Sequence, residues 1–171
     1  MTLKAKILLL IAGLALAACT NPDRFGADGT AGGLGGAGGA VVPGSANDPT
    51  SPAYFNQTIG DRVLFAVDQS VISDEGRVVL DGQATWLLTN TDFTAINEGH
   101  AEEQGAREYN VALGARRANA VREYLVSKGV AGNRLRTVSY GKERPIEICS
   151  NEACYAKNRR AVTVLAGGLT G

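Results

Sequence analysis

The segment from Arg107 to Lys128 most constrains the fold, because it predicts one long amphipathic helix. Its apolar residues recur at helical spacing along a single stripe, namely Val111, Ala115, Ala118, Val121 and Leu125. Gly129 follows the last turn and is typical of a helix end. Such a stripe has to be buried against a second layer, and we therefore expect the helix to pack on a β-sheet.

Two neighbouring arginines on this helix are predicted to face different surroundings. With about 100° of rotation per residue, Arg116 lies nearly opposite the apolar stripe, whereas Arg117 lies on its flank. We expect Arg116 to be solvated, and Arg117 to point along the rim of the helix beside Val121 and Tyr124.

An acidic loop precedes the helix and brings carboxylates toward the same rim. Gly99 and Gly105 bracket this loop, which carries Glu102 and Glu103. A carboxylate and a fixed guanidinium that face one small volume suit a ligand with an ammonium and a carboxylate on the same carbon, because each ligand group then meets its opposite charge. From spacing alone, a surface ion pair worth about 0 to 1 kcal/mol is an equally good interpretation.

Shorter segments predict four strands and a second helix. The strands are expected at residues 62–67, 94–98, 135–140 and 161–165. Ser73 can cap the second helix, whose core residues are expected to be Leu80, Ala84, Trp86, Leu87 and Leu88. Asn97 interrupts the apolar alternation of the second strand. The β-α-β-α-β-β order predicts an α+β two-layer sandwich, with the helices on one face of a mixed sheet.

The first 18 residues predict a secretory signal peptide. Lys4 and Lys6 precede an apolar run from Ile7 to Ala18 that is too short to span a bilayer. The run ends in Leu-Ala-Ala-Cys, which resembles the bacterial lipobox and predicts that Cys19 is acylated. The alternative is an ordinary cleavage site followed by an unmodified thiol. Thr20 in place of aspartate, by resemblance to lipoprotein sorting, favours the outer membrane.

Residues 19–53 predict a lipidated terminus with a flexible linker, and residues 54–171 predict a single folded domain. The linker is rich in glycine and proline and has too little apolar surface to offset the entropy of ordering it. The rest of the chain suffices for one core. The whole chain holds 17 basic and 17 acidic residues, so its formal net charge is zero and nucleic-acid binding is disfavoured.

Three blocks of sequence resemble the OmpA-like domain family, and in particular its lipoproteins of the cell wall. They are EGHAEEQGAREYNVALGARRANAVREYL at 98–125, VSYGKERP at 138–145 and YAKNRRAV at 155–162. The resemblance implies an OmpA-like two-layer sandwich with a mixed four-stranded sheet. It also implies that Glu102 and Arg117 bind the meso-diaminopimelate of wall peptides, with backbone contacts near Phe65, Tyr109, Leu113 and Gly114.

The chain departs from the family pattern at two places near this site. Glu102 stands where the family usually has aspartate, and its extra methylene moves the carboxylate outward, so Glu103 is a further candidate for the role. The run FAVD at 65–68 replaces a more acidic run of many relatives. The first departure bears on affinity or ligand choice.

The resemblance further implies what the whole protein does. It implies an outer-membrane lipoprotein that faces the periplasm, has no catalytic activity or cofactor, and anchors the membrane to peptidoglycan. It implies a place in a Tol system that supports envelope integrity and cell division, with that system's β-propeller protein as a partner. The alternatives are an OmpA-like wall-binding lipoprotein outside the Tol system and, less favoured, a periplasmic wall hydrolase.

One histidine and two cysteines are the remaining candidates for chemistry. His100 and Glu102 form an HxE pattern, but the PCxxC motif of zinc deaminases does not accompany it. A histidine that is hydrogen-bonded at a strand end and holds the loop is therefore favoured over catalysis. Cys149 and Cys154 predict a disulfide in an oxidising compartment, with two free thiols as the alternative. Zinc is disfavoured, because His100 is the sole further ligand.

Two consecutive arginines close the last block of the family resemblance. Arg159 and Arg160 allow two interpretations, because both are long cations next to a strand. They contact a bound carbohydrate or peptide, or they pair with Glu98 or Glu143. The sequence does not choose between the two.

Overall fold

The structure, a computed structural model, describes residues 41–148 and 150–167. The predicted signal peptide, Cys19 and most of the predicted linker lie outside these residues, and so does Cys149. The described helices and strands, with two short segments of other helix types, are α1 (Pro52–Tyr54), a π-helix (Phe55–Gly60), β1 (Arg62–Leu64), α2 (Asp74–Thr89), β2 (Thr94–His100), α3 (Arg107–Ser127), a 3₁₀ turn (Gly132–Arg134), β3 (Leu135–Gly141), α4 (Glu152–Asn158) and β4 (Arg160–Ala166).

The strands form one mixed sheet in the order β1-β4-β2-β3. β2 and β3 are parallel, whereas β4 runs antiparallel to both β1 and β2. The predicted α+β architecture with a mixed four-stranded sheet is confirmed. The structure differs from the predicted element order by α4, a short helix between β3 and β4 that the sequence pattern did not predict. Because β2 and β3 are parallel, their carboxyl ends share one edge of the sheet, and the acidic loop begins at that edge.

Helix α3 packs unusually close to β2 through two facing glycines. A Cβ atom at Gly99 would lie 1.8 Å from the carbonyl oxygen of Gly114, so any side chain there would clash with backbone. Gly99 is thus a strand residue, because β2 runs on to His100, and the prediction that it opens the loop was wrong. The buried residues of α3 are Asn110, Leu113, Gly114, Arg117, Ala118, Val121 and Leu125.

The buried face of α3 differs from the predicted stripe near its amino end. Ala115 was expected in the core, but it is exposed, because at this turn of the helix Gly114 faces the sheet in its place. Arg116 is exposed, as expected. The prediction that Arg117 lies on the rim was wrong, since its side chain is fully buried.

The main core lies between α2, α3 and the sheet. Its strand residues are Val63, Ala95, Leu135 and Ala161, and its helix residues include Leu80, Trp86, Leu87 and Val121. Ser73 caps α2 as predicted, with its hydroxyl accepting from the Gly76 N–H at 3.1 Å. Leu88 was expected in the core, but it is 46% exposed.

Asn97 is buried in the core layer because a polar partner meets it there. The Thr163 hydroxyl, on the neighbouring strand, donates to the Gln83 side-chain oxygen at 2.8 Å and shares its proton with the Asn97 side-chain oxygen at 3.3 Å. Strand β4 pairs directly with β2 at these two positions. The break in the apolar pattern therefore marks a buried polar cluster and not the end of the strand.

Residues 42–51 form hydrogen-bonded turns on the far end of α2. The Trp86 indole N–H donates to the Pro49 carbonyl at 2.7 Å, and Ser51 is buried while its hydroxyl donates to the Ser45 carbonyl at 2.6 Å. The linker was expected to continue to residue 53, whereas this stretch contacts the core. Among the described residues, no helix is long and apolar enough to cross a membrane.

Candidate ligand-binding cleft

A cleft of about 260 Å³ opens where the acidic loop meets the start of α3, and we call it the acidic cleft. Two of its lining residues are acids. Its lining residues are Val67, Asp68, Glu102, Gln104, Gly105, Tyr109 and Asn110. No lysine or arginine lines it, so its wall favours the positively charged group of a ligand.

Glu102 is held on one side of the acidic cleft by Arg159. The Nη1 of Arg159 donates to Oε2 of Glu102 at 2.6 Å, and Nη2 donates to Oε1 of Glu152 at 2.5 Å. Burial by itself lowers the pKa of Arg159, but the hydrogen bonds to Glu152 and Glu102 more than offset it, so the pKa is raised overall. Arg159 therefore stays charged.

The neighbouring Glu103 faces away from this pair and fastens the loop. Its Oε1 accepts from the side-chain amide of Asn158 at 2.7 Å, and its backbone carbonyl accepts from Lys142 at 3.2 Å. Asn158 is fully buried. Glu103 is absent from the cleft lining, so it holds the loop while Glu102 faces the cleft.

Arg117 lies beneath the cleft and is bound to backbone on three sides. Its Nε donates to the Gln69 carbonyl and its Nη1 to the His100 carbonyl, both at 2.8 Å, and its Nη2 donates to the Ala66 carbonyl at 3.1 Å. The guanidinium carbon lies 5.2 Å from the Phe65 ring centroid. Burial, together with the nearby Arg159, lowers the pKa of Arg117 to about 10, so it is charged at neutral pH.

Arg117 is buried because three carbonyls converge on it. The loop after β1 and the end of β2 both turn carbonyl oxygens toward α3, and a planar guanidinium can satisfy several of them at once. A helical wheel shows angle only and does not show the loop that covers the flank of the helix. Arg117 therefore joins the loop after β1 to the end of β2.

Tyr109 and Asp68 form the other side of the acidic cleft. The Tyr109 hydroxyl donates to Oδ1 of Asp68 at 3.3 Å, and Tyr109 is 46% exposed. Asp68 has a φ of 55°, the left-handed region that non-glycine residues seldom adopt. The sequence analysis did not single out Asp68 as a site residue.

The structure brings together only part of the predicted ligand-binding set. Glu102 and Tyr109 line the cleft, whereas Phe65, Leu113 and Gly114 are buried and do not line it. The predicted backbone contacts near those three residues remain predictions. Arg159 and Asn158 were missed as the groups that hold the acidic loop, although the YAKNRRAV block contains both.

His100 does not hold the loop through its ring, contrary to expectation. Within residues 41–148 and 150–167, neither ring nitrogen has a hydrogen-bond partner, and the ring lies 5.5 Å from that of Tyr140. It is the His100 carbonyl that binds Arg117. Burial, then the positive charges of Arg160 and Arg144, lower the pKa of His100 to about 4. The imidazole is therefore neutral at pH 7.

Of the two interpretations of Arg159 and Arg160, the contact with a bound carbohydrate or peptide stays a prediction, and the pairing takes other partners. Arg159 binds Glu102 and Glu152, whereas Arg160 donates to the backbone carbonyls of Arg144 and Asn158. The proposed pairs with Glu98 or Glu143 do not form. Glu143 instead accepts from Arg107 at 3.0 Å.

Cys154 is buried in α4 and is disulfide-bonded. Asn151 caps this helix, because its side-chain oxygen accepts from the Cys154 N–H at 3.1 Å. The predicted partner, Cys149, lies outside the described residues. The part of the chain that the structure describes holds no group of three histidine, cysteine or acidic side chains arranged to bind a metal ion.

The fold and the cleft define the class of protein. The OmpA family model matches residues 64–159, which is more than half of the chain, and the chain belongs to this family. The matched region runs from the end of β1 to Arg159 and contains the whole acidic cleft. The resemblance inferred from the sequence blocks is confirmed.

Within this family, the chain is similar to peptidoglycan-associated lipoproteins. The peptidoglycan-associated lipoprotein of Rhizobium meliloti is 48% identical over 161 residues, which cover 94% of this chain and 87% of the relative. That of Brucella melitensis is 45% identical over 158 residues, covering 92% and 89%. The crystal structure of the peptidoglycan-associated lipoprotein from Burkholderia pseudomallei is 36% identical with a TM-score of 0.63, covering 70% of this chain and 98% of that one.

Proposed function

We propose that this protein binds peptidoglycan non-covalently, and that its acidic cleft takes the diaminopimelate of the stem peptides. The observation that carries the proposal is the meeting of Glu102, Asp68 and Tyr109 in one cleft above the charged Arg117. A stem peptide with a free amino group and an adjacent carboxylate has the two charges that such a site separates.

In this proposal the ligand ammonium is accepted by the carboxylates of the cleft. Glu102 presents a carboxylate that is only 12% exposed, so its hydrogen bond to an ammonium is little weakened by solvent. Asp68 lies across the cleft and adds a second acceptor. Tyr109 fixes Asp68 and offers an aromatic wall to the aliphatic part of diaminopimelate.

Arg117 serves the ligand carboxylate in this proposal, but from beneath the cleft wall. Three of its five N–H groups bind the carbonyls of Gln69, His100 and Ala66, so one N–H on each terminal nitrogen is left for a ligand carboxylate that reaches it. Because Arg117 is fully buried, a direct contact requires the loop at 66–69, which contains the left-handed Asp68, to shift.

The names of the relatives and the amino-terminal sequence extend the proposal to the whole chain. Acylation of Cys19 would hold the protein in the outer membrane with its domain in the periplasm, as a non-catalytic anchor between membrane and wall. Within a Tol system, the β-propeller partner would compete with the wall for this surface, and the anchor would support envelope integrity and cell division.

A sedimentation assay tests the proposal. Full-length protein in detergent is mixed with purified wall whose stem peptides contain meso-diaminopimelate, and bound protein is measured in the pellet. We expect binding that a soluble diaminopimelate peptide reverses and a lysine-containing peptide does not. Equal competition by both peptides, or no sedimentation, would refute it, and release of soluble wall fragments would indicate a hydrolase instead.

A pair of charge-matched variants locates the site in the same assay. Glu102→Gln removes one carboxylate charge inside the cleft, and we expect binding to weaken by about tenfold or more. Glu123→Gln makes the same change on the exposed face of α3, outside the cleft lining, and should leave binding unchanged. Equal effects of the two variants would mean that the wall binds elsewhere.

A further inference from the structure

Arg159 joins three separate parts of the molecule at the acidic cleft. Its Nε donates to the Phe65 carbonyl at 3.1 Å, while its two terminal nitrogens bind Glu102 and Glu152. The Phe65 N–H in turn donates to the Arg159 carbonyl at 2.9 Å. The side chain is 6% exposed, so one buried guanidinium connects the loop after β1, the acidic loop and helix α4.

Helix α4 is a firm base for this arginine. Its amino end is capped by Asn151, and Cys154 in its middle is disulfide-bonded. At its carboxyl end, the side chain of Asn158 accepts from the N–H of Ile146 at 2.7 Å and donates to Oε1 of Glu103 at 2.7 Å. Helix α4 is thus fastened at both ends, and Glu152 holds Arg159 from its first turn.

The two carboxylate oxygens of Glu102 have different surroundings. Arg159 binds Oε2, and Glu102 is among the residues that line the cleft. A carboxylate with one oxygen fixed by a charged, planar donor has little freedom to rotate, so its other oxygen keeps a defined direction. Arg159 itself is absent from the cleft lining, which argues against direct ligand contact.

We propose that Arg159, anchored on α4 by Glu152, is a positioning residue that orients Glu102 toward the amino group of the ligand. This inference rests on the proposed function, because it concerns the same cleft. In this proposal α4 contributes to the selection of ligands with a free amine. Without Arg159, the Glu102 carboxylate would turn toward solvent or toward other cations.

Two variants weaken the anchor by different amounts and leave the core in place. Glu152→Gln removes the charge on the α4 side, where the side chain is 68% exposed, so folding is not at risk. Arg159→Lys keeps the positive charge but has one nitrogen and cannot reach all three partners. Lys157→Ala is the control, since it breaks an exposed pair of α4 with Glu147 that does not touch the acidic loop.

The readout is the ratio of affinities for two soluble peptides, one with the free amine of diaminopimelate and one with that amine acetylated. We expect Glu152→Gln to lower this ratio by about two- to fivefold and Arg159→Lys by about tenfold or more, with Lys157→Ala unchanged. General loosening of the fold would weaken the binding of both peptides equally and leave the ratio of affinities constant.

The outcomes distinguish this inference from the function on which it rests. If the unchanged protein binds the free-amine peptide no better than the acetylated one, the proposed function fails. If the unchanged protein discriminates and Glu152→Gln and Arg159→Lys discriminate equally well, the positioning role of Arg159 is refuted while the function stands. Thermal unfolding of each variant, followed by circular dichroism, confirms that the comparison is made between folded proteins.

Discussion

Each end of the sheet is closed by an arginine that binds backbone carbonyls, but only one of these ends carries the acidic cleft. Arg117 binds the carbonyls of Ala66 and Gln69 in the loop after β1 and the carbonyl of His100 at the carboxyl end of β2. At the opposite end, Arg134 binds the carbonyls of Leu87, Asn90 and Phe93. The two guanidinium groups therefore solve the same problem, which is to satisfy the carbonyls of a loop that has no regular partner.

The two arginines differ in their burial and in the charges around them. Arg117 is fully buried and has Asp68 and Glu102 as neighbouring charges, whereas Arg134 is only partly buried and shares its pocket with Arg136 and no acid. A carbonyl-bound arginine is thus a device of the fold in both places. What distinguishes a candidate binding site is the set of acids held above it.

The largest expected effect is that of removing Arg117. Arg117→Ala leaves three inward-facing carbonyls without a donor, and we expect the free energy of unfolding to fall by about 3 to 5 kcal/mol, together with loss of wall binding. Chemical denaturation measures the first effect and sedimentation with wall the second. Arg116→Ala, next to it but exposed, should change stability by less than about 0.5 kcal/mol. Similar losses for both would disprove the assignment of the two faces.

Acid should loosen the cleft end before the other end. As the pH falls, the unfolded chain protonates His100 near its ordinary pKa of 6.5, whereas the folded protein does so only near 4. Between these values the unfolded state binds more protons, so stability falls as the pH is lowered from 7 to 4, by about 3 kcal/mol at most, and this group adds no further loss below 4.

A glutamine variant isolates this contribution. His100→Gln lacks the titrating ring, so its stability should fall less steeply over the same pH range, measured by denaturation at each pH. Amide exchange at the acidic loop should rise in acid for the unchanged protein before it rises around Arg134. A slope that is the same with and without His100 would show that the ring does not carry the effect.

Removing Arg134 should have a smaller and purely structural effect. Arg134→Ala leaves partly exposed carbonyls that water can reach, and we expect a loss of about 2 kcal/mol in the free energy of unfolding. At a temperature where the variant is folded, wall binding should be unchanged, because the acidic cleft lies at the other end. A loss of binding comparable to that of Arg117→Ala would mean that the two ends are coupled.

The smallest of these effects is expected at the disulfide. Cys154→Ser removes a constraint that closes a short loop if the partner is Cys149, and we expect a loss of about 2 kcal/mol at most. Because α4 supports the cleft through Asn158 and Arg159, wall binding should weaken as well. An unchanged affinity in the folded variant would show that α4 keeps its place without the disulfide.

The periodic elements could be predicted because their cause is local. Helix α3 begins at Arg107 as predicted and ends at Ser127, one residue earlier than expected. The four strands were found, three of them with the predicted first residue and all with the last residue displaced by one to three positions. Apolar spacing and capping residues are properties of neighbouring positions. Helix α4 was missed because its seven residues are too few to show a periodic pattern, and its order depends on a cap and a disulfide.

The candidate site was harder to predict, because its contacts join positions that are distant in sequence. Glu102 and Tyr109 were found through the family pattern. The partners of Glu102 and Arg117, by contrast, lie 57 and up to 51 residues away. Whether a long cation reaches a carboxylate, a backbone carbonyl or solvent depends on which loops cover it, and no spacing rule gives that.

The sequence by itself determined the class of the fold, the family and the two-helix, four-strand pattern, since hydrophobic periodicity and local capping act over a few residues. Tertiary structure alone decided which of three arginines faces which partner: Arg116 solvent, Arg117 the carbonyls beneath the cleft, and Arg159 the acid that lines it. The reason is physical. A guanidinium lies where donors and acceptors from distant segments can all be satisfied away from water, and those segments meet only after the chain has folded.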